Sequence, residues 1–177
     1  MLAVACSPLG EKSTLAIGVV ARLGVIEGIV STKVAVDGTD AAEKIIELVN
    51  GTRFKEQIRL ITVNGIGFAG LNVLDINELE KRTETRLLSI TRTRPHPNEL
   101  INALKRLSRE TRADVKHRIR LVQGLKRINM FKTDGFYAQT TMPKGEASKF
   151  VKNAYGVLRL AHMIASGVSK GESKGRM

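Results

Sequence analysis

The sequence is poor in residues that define several classes of protein. It has no tryptophan, four prolines and a single cysteine, Cys6, in 177 residues. One cysteine excludes an internal disulfide and a four-cysteine zinc site. No stretch approaches the roughly 20 apolar residues that span a bilayer, and the residues before Cys6 lack the basic and apolar regions of a lipoprotein leader. We therefore expect a cytoplasmic protein without a membrane partner.

Acidic residues are also fewer than basic ones, and the excess of basic residues is concentrated in one segment. The chain has 29 Lys and Arg against 17 Asp and Glu, a net charge of +12. Residues 81–127 hold fourteen of the basic and four of the acidic residues, a net charge of +10, so the remainder is nearly neutral. Such asymmetry indicates a polyanionic partner. Nine residues are predicted to contact the phosphates of a nucleic acid: Arg92, Arg94, Lys105, Arg106, Arg109, Arg112, Lys116, Arg118 and Arg120.

A solvated helix surface without a ligand is the other interpretation of this basic segment. Plentiful arginine with little glutamine also suits the charge-rich surface of a thermophilic protein. Aromatic side chains are few, at 4% of the chain, which gives little support to a platform that stacks single-stranded bases. The composition does not distinguish DNA from RNA.

Hydrophobic patterning predicts an α/β fold in one domain that spans residues 1–177, with a basic tail at about residues 170–177. A hairpin of residues 14–22 and 25–36 precedes strands that alternate with helices. Residues 2–6 and 58–63 are apolar on both faces, so we expect strand 2–6 at the centre, beside strands 14–22 and 58–63. The other strands are predicted at 86–92, 128–132 and 136–141, and the helices at 40–50, 72–81, 97–107, 115–126, 146–155 and 158–169. This mixed sheet, with an antiparallel hairpin leading, parallel strands following and helices on both faces, is of the ribonuclease H-like type.

The strand ends lack the acids that a metal-dependent nuclease needs. Such an enzyme holds Mg²⁺ with about three carboxylates at strand ends. Here the first strand ends in Ala5 and Cys6, and the strand of residues 58–63 is followed by Asn64. Asp37 and Asp40 remain near the end of the third strand, where they also fit a turn and a helix cap, the latter as a capping box of Asp40 with Glu43.

The other candidate groups have ordinary structural explanations. Cys6 has no histidine or acid beside it and fits a small buried residue better than a nucleophile. His96, His117 and His162 do not have the spacing of metal ligands. Asp75 is predicted in the first turn of a helix, where an acid suits the helix dipole.

Three segments resemble an archaeal family of uncharacterised proteins related to endonuclease V, which has a ribonuclease H-like fold. They are VSTKVAVDGTDAAEKI (30–45), VNGIGFAGLNVLDI (63–76) and LRLAHMIASGVSKGESKGRM (158–177). The resemblance implies a relationship to endonuclease V, an enzyme that cleaves near deaminated purines with Mg²⁺. However, the family's Asp pair after the first strand falls on Ala5 and Cys6, and its later Asp-Gly falls on Asn64 and Gly65.

Three functions are compatible with these observations. The leading hypothesis is a nucleic-acid-binding protein with an endonuclease V-like fold and a degenerate metal site at Ala5, Cys6 and Asn64, without catalysis or a cofactor. The second is an endonuclease for deaminated DNA or RNA that binds Mg²⁺ through Asp37, Asp40 and Asp75. The third is a protein-interaction module whose basic surface meets an acidic partner.

Overall fold

The structure, a computed structural model, describes residues 1–8, 10–125 and 128–173. This part of the chain contains nine strands, five α-helices and a short 3-10 helix at Lys55–Gln57. The strands are β1 (Leu2–Cys6), β2 (Ser13–Arg22), β3 (Val25–Ala35), β4 (Leu60–Val63), β5 (Gly67–Phe68), β6 (Asn72–Val73), β7 (Arg86–Thr91), β8 (Asn129–Thr133) and β9 (Phe136–Thr140). The helices are α1 (Ala41–Asn50), α2 (Ile76–Thr83), α3 (Pro97–Thr111), α4 (Lys116–Gly124) and α5 (Lys144–Lys170). The end of the predicted basic tail, residues 174–177, lies outside the described residues.

Seven strands form one mixed sheet in the order β3-β2-β1-β4-β7-β9-β8, while β5 and β6 pair separately. β1 is antiparallel to β2 and parallel to β4, and β4 is parallel to β7. The predicted layout, with an antiparallel hairpin followed by parallel strands and with β1 between β2 and β4, is confirmed. Its cause is burial: Leu2, Ala3 and Val4 are each 0% exposed, so β1 needs cover on both faces.

Helices supply this cover on the two faces of the sheet. Leu2 and Val4 belong to a buried cluster with Ile45 of α1, whereas Ala3 belongs to a second cluster with Leu158 of α5. Successive side chains of a strand point to opposite faces, so α1 and α5 lie on opposite sides of β1. Within the described residues, no helix has the length and apolar character needed to cross a membrane.

The last helix differs from the sequence prediction. Residues 146–155 and 158–169, predicted as two helices, belong to the single helix α5. A glycine inside a helix costs about 1 kcal/mol relative to alanine, but the helix continues through Gly156 because one apolar stripe on both sides of it packs in the second cluster. The stripe has a spacing of three and four residues: Ala147, Val151, Ala154, Leu158, Ala161 and Ala165.

The helix predicted over residues 72–81 begins later, at Ile76. Asn72 lies instead in β6, is 0% exposed, and donates a hydrogen bond from its amide to the Ala35 carbonyl at 3.0 Å. Asp75 is the N-cap of α2, just before its first turn, and its carboxylate accepts a hydrogen bond from the Glu78 N–H at 3.0 Å.

We expect Leu158→Ala to lower the free energy of unfolding by about 3 kcal/mol, because Leu158 is fully buried between α5 and the sheet. Val168→Ala, on the same helix at 67% exposure, should change it by less than about 0.5 kcal/mol. Urea unfolding followed by circular dichroism measures both. Equal losses in the two variants would contradict the packing of α5 described here.

Candidate functional site

The carboxyl ends of β1 and β4 meet at one edge of the sheet, because the two strands are parallel neighbours. Ala5, Cys6 and Asn64 line a cavity of about 230 Å³ at this edge, together with His162 of α5. We call it the carboxyl-edge cavity. The structure thus brings together the three positions at which the sequence lacks the expected acids, and it adds a histidine that sequence spacing did not connect to them.

Ala5, Cys6, Asn64 and His162 bring no carboxylate to this cavity. Burial raises the pKa of the Cys6 thiol to about 12, against a smaller opposing effect of a hydrogen bond with the Ala69 backbone, so the thiol is protonated at neutral pH. Over residues 1–8, 10–125 and 128–173, no three His, Cys, Asp or Glu side chains are placed to hold a metal ion. Because Mg²⁺ takes oxygen ligands that include carboxylates, these residues do not fit it.

Asp37 and Asp40 are not among the residues that line the carboxyl-edge cavity. Asp37 Oδ1 accepts a hydrogen bond from the Leu71 N–H at 2.7 Å. Both carboxylate oxygens of Asp40 accept from the Ala35 N–H at 3.2 Å, and Oδ1 also accepts from the Asn72 amide at 2.7 Å. The two acids therefore connect the end of β3 to the loop around β6.

The predicted capping box of Asp40 and Glu43 is wrong. Asp40 is the N-cap of α1, but its side chain makes no capping hydrogen bond because it turns back to β3. Asn72 takes over part of that role, since its Oδ1 accepts a hydrogen bond from the Ala41 N–H at 3.1 Å. Glu43 instead forms an ion pair with Arg82.

Arg118 is a buried residue, and its prediction as a phosphate contact is wrong. Its side chain is 3% exposed and donates to the carbonyls of Asp37 at 2.6 Å, Gly38 at 3.2 Å and Leu71 at 3.1 Å. Burial lowers the pKa of its guanidinium, and the charge of the Asp37 carboxylate opposes this shift. Arg118 therefore connects α4 by hydrogen bonds to the turn after β3 and to the loop before β6.

The other eight predicted phosphate contacts are exposed. None of the eight has an ion-pair partner among the described residues. Leu104 is the fully buried residue of α3, and α3 packs against α4, so the basic side chains lie on the solvent sides of this helix pair and in the segment before it. We call this set the basic surface: Arg92, Arg94, Lys105, Arg106, Arg109, Arg112, Lys116 and Arg120.

A second cavity, of about 320 Å³, lies between residues 65–70, which include Gly65, Gly67 and Gly70, and the N-terminus of α3. Its lining includes Gly65, Thr91, His96 and Gln139, and it shares Gly67 and Gly70 with the carboxyl-edge cavity. Gln139 is 3% exposed, and its Oε1 is a buried acceptor without a hydrogen-bond partner among the described residues. Gln139 could not be singled out from the sequence. It belongs to no motif, and only its position beside Ala138 in a predicted strand indicates that its amide is buried.

Comparison with known proteins agrees with this architecture. The chain is 37% identical to a UPF0215 protein of Methanothermobacter thermautotrophicus over 96% of its own length and 85% of that protein. A UPF0215 protein of Methanopyrus kandleri is 34% identical, over 92% of this chain and 86% of the relative. The crystal structure of a protein of unknown function from Archaeoglobus fulgidus superposes with a TM-score of 0.85 at 27% identity, covering 95% of this chain and 96% of the other.

The similarity to the Archaeoglobus fulgidus structure places the chain in the same class of α/β proteins, and the two curated relatives are both archaeal. A family model described as endonuclease dU matches residues 1–169. The chain belongs to this endonuclease dU family, which agrees with the relationship to endonuclease V inferred from the sequence.

We expect Arg118→Ala to lower the free energy of unfolding by about 2–4 kcal/mol, because the partly buried carbonyls of Asp37, Gly38 and Leu71 lose their donor and a buried side chain is removed. Arg120→Ala, two positions along the same helix but exposed, should change it by less than about 0.5 kcal/mol. Chemical denaturation of the two variants and the unmodified protein measures the difference. A small effect of Arg118→Ala would contradict its role as the connection between α4 and the Asp37 turn.

Proposed function

We propose that the protein binds nucleic acid through the basic surface and does so without a metal ion and without cleaving it. The observation that carries this proposal is the set of eight exposed Lys and Arg side chains, unpaired within the described residues, on one helix pair and the segment leading to it. Lysine and arginine that neutralise phosphates release condensed counterions, and this gives affinity for any sequence.

The position of the basic surface supports the proposal. Arg92 and Arg94 follow β7 directly, and Thr91 and His96 on either side of them line the second cavity. A nucleic-acid strand held by these arginines would therefore pass the mouth of the second cavity, which Gln139 also lines.

The alternative of a working metal-dependent endonuclease receives no support from the acids that it would use. Asp37 and Asp40 accept hydrogen bonds from backbone N–H groups, and Asp75 caps α2. To act as metal ligands, these carboxylates would have to give up hydrogen bonds that stabilise the fold, and a buried donor left without a partner costs about 1–3 kcal/mol.

Affinity for a random-sequence duplex should fall on the order of a thousandfold between about 50 and 200 mM salt if about six phosphates are contacted. Arg109→Ala should weaken binding to all sequences about equally and reduce the slope of log affinity against log salt by about one. Fluorescence anisotropy with labelled duplex, single-stranded DNA and RNA measures this, and also shows which nucleic acid is preferred.

Lys152→Ala on α5 is the matched control, because it removes one exposed positive charge away from the basic surface. It should leave both the affinity and the salt slope unchanged. Binding that does not depend on salt, or no binding at about 50 mM salt, would contradict the proposal and favour an acidic protein partner.

The unmodified protein should neither bind Mg²⁺ tightly nor cleave DNA or RNA that contains a deaminated base, because the carboxyl-edge cavity offers no carboxylate. The double variant Ala5→Asp with Asn64→Asp should raise Mg²⁺ affinity, since it places two carboxylates at that edge. Calorimetric titration measures Mg²⁺ binding. A second double variant, Ala5→Ser with Asn64→Ser, is the control because it changes the same two positions without adding charge. Metal-dependent cutting by the pure unmodified protein would contradict this prediction.

A further inference from the structure

A third cavity, of about 910 Å³, lies at the amino ends of β4 and β7, at the edge of the sheet opposite the carboxyl-edge cavity. We call it the amino-edge groove. Part of α5 forms one wall, and the tip of the β2–β3 hairpin forms the other. Its volume is in the range of small-molecule sites, which are mostly apolar with a few well-placed polar groups. It shares no lining residue with the two cavities described above.

The floor of the groove is one row of residues that crosses five neighbouring strands. Ile26 of β3 pairs with Ala21 of β2, whose N–H donates to the Met1 carbonyl at 2.9 Å. The parallel register of β1 and β4 extends the row from Met1 to Leu60, and Leu60 pairs with Arg86 of β7. Adjacent strands are about 4.8 Å apart, so the row is about 19 Å long. Its first four members are apolar and its last is a cation.

The apolar side chains around the groove are concentrated at the hairpin and on α5. Leu23 at the hairpin tip is 99% exposed, and Ile26 and Phe150 are 42% and 39% exposed. Phe150 belongs to a stripe of α5 that lies beside the buried stripe and includes Val157 and Leu160. A contiguous exposed apolar surface next to a cavity is typical of a binding site, so the groove has an apolar end at the hairpin.

The charged side chains of the groove differ in whether they have a partner. They are Arg22, Arg59, Arg86, Lys152 and Glu146. Arg22, at the hairpin end, forms an ion pair with Glu27 at 2.7 Å, so its charge is offset within the chain. Glu146, in the first turn of α5, has no ion-pair partner among the described residues. With Glu27, Glu80 and Glu146 counted against them, the four cations still leave a net charge of +1.

Arg59 and Arg86 form the cationic end of the groove. Their backbones are adjacent, because the Arg86 N–H donates to the Arg59 carbonyl at 3.1 Å. Arg59 has no ion pair among the described residues, and the Arg86 guanidinium lies 3.9 Å from Glu80, beyond hydrogen-bond distance. Glu80 instead accepts from the Leu87 N–H and the Thr141 hydroxyl, each at 2.8 Å. The two guanidinium groups therefore keep N–H donors for a carboxylate or a phosphate.

We propose that the amino-edge groove binds a free amphiphilic anion, whose apolar chain lies along the floor and whose carboxylate or phosphate head is held by Arg59 and Arg86. The order of residues along the floor carries the choice of ligand, because apolar cover is needed at the hairpin and an anion at β7. A wholly apolar ligand leaves both guanidinium groups without an acceptor. Inorganic phosphate alone leaves the apolar surface in contact with water.

Calorimetric titration with single-chain probes, each below its micelle concentration, tests the ligand class. Across octanoate, decanoate and dodecanoate, each added methylene should raise the affinity roughly fourfold, as expected for burial of a CH₂ group. Decanol, decyltrimethylammonium and inorganic phosphate should each bind more weakly than decanoate. Decyl phosphate differs from decanoate mainly in its head, and the tighter of the two identifies the head that the arginines prefer.

Two arginine variants test the cationic end. Arg59→Ala and Arg86→Ala should each weaken decanoate binding about tenfold, because each removes charge-assisted hydrogen bonds to the head. Binding of decanol should not change in either variant. Arg53→Ala is the matched control, since it removes an exposed arginine that does not line the groove.

Gly156→Leu tests the apolar part without removing a contact. Gly156 lines the groove within α5, and a Cβ at this position meets no other part of the chain within 4 Å, so the larger side chain fills the groove without a clash. It should abolish decanoate binding. Gly167→Leu is the matched control, because Gly167 has equally open surroundings on the same helix outside the groove. Urea unfolding shows that each variant is folded.

Three results would overturn the proposal. Neutral or cationic chains that bind as tightly as decanoate would show that the arginines do not hold a head, and binding that survives Gly156→Leu would place the ligand elsewhere. No binding of any chain at about 1 mM would leave the groove to a protein segment or a second copy. Cosedimentation with phosphatidylglycerol vesicles, without binding of free decanoate, would assign the groove to a membrane surface instead.

Discussion

A buried arginine is the interaction on which the arrangement of the site depends. Arg118 extends from α4 to the carbonyls of Asp37 and Leu71 and so joins the turn after β3 to the loop before α2. Asn72 and Asp40 connect the same two segments by a hydrogen bond of 2.7 Å. Because each buried group would cost about 1–3 kcal/mol without its partner, these contacts stabilise one another. Gly70, whose φ of +83° suits glycine, packs against Asp37, so the same cluster positions the loop that lines both cavities.

This cluster gives a structural role to the acids that stand out in the sequence. Asp37 and Asp40 lie close together in the chain and near a strand end, as metal ligands often do. In the folded protein their oxygens accept hydrogen bonds from Leu71, Ala35 and Asn72, whose positions along the chain give no hint of the contact. Asparagine, glutamine and arginine make such long-range contacts through side chains whose partners only the tertiary fold brings near. The same reasoning applies to Gln139, which belongs to no motif and whose Oε1 has no hydrogen-bond partner in the part of the chain that the structure describes.

Much of the fold could be predicted because it rests on patterns that are local in sequence. The central position of β1 follows from a run that is apolar on both faces, and the hairpin of β2 and β3 follows from two strand-like runs separated by Leu23 and Gly24. The single helix α5 could not be predicted with equal ease, because Gly156 interrupts the pattern and only packing against the sheet shows that the stripe continues. For the basic segment, composition predicted the exposed arginines but not the exception: nothing in the sequence distinguishes the buried Arg118 from its exposed neighbour Arg120.

The basic surface is physically compatible with a carboxyl-edge cavity whose described lining residues include no carboxylate. A pair of carboxylates at the end of β1 and β4 would repel phosphates in the absence of a cation, because like charges a few ångströms apart interact by several kcal/mol at a partly buried site. Ala5 and Asn64 carry no charge, and the raised pKa of Cys6 keeps its thiol protonated at neutral pH. A polyanion can therefore approach this edge without a metal ion to offset repulsion, and the attraction of the exposed arginines is not reduced there.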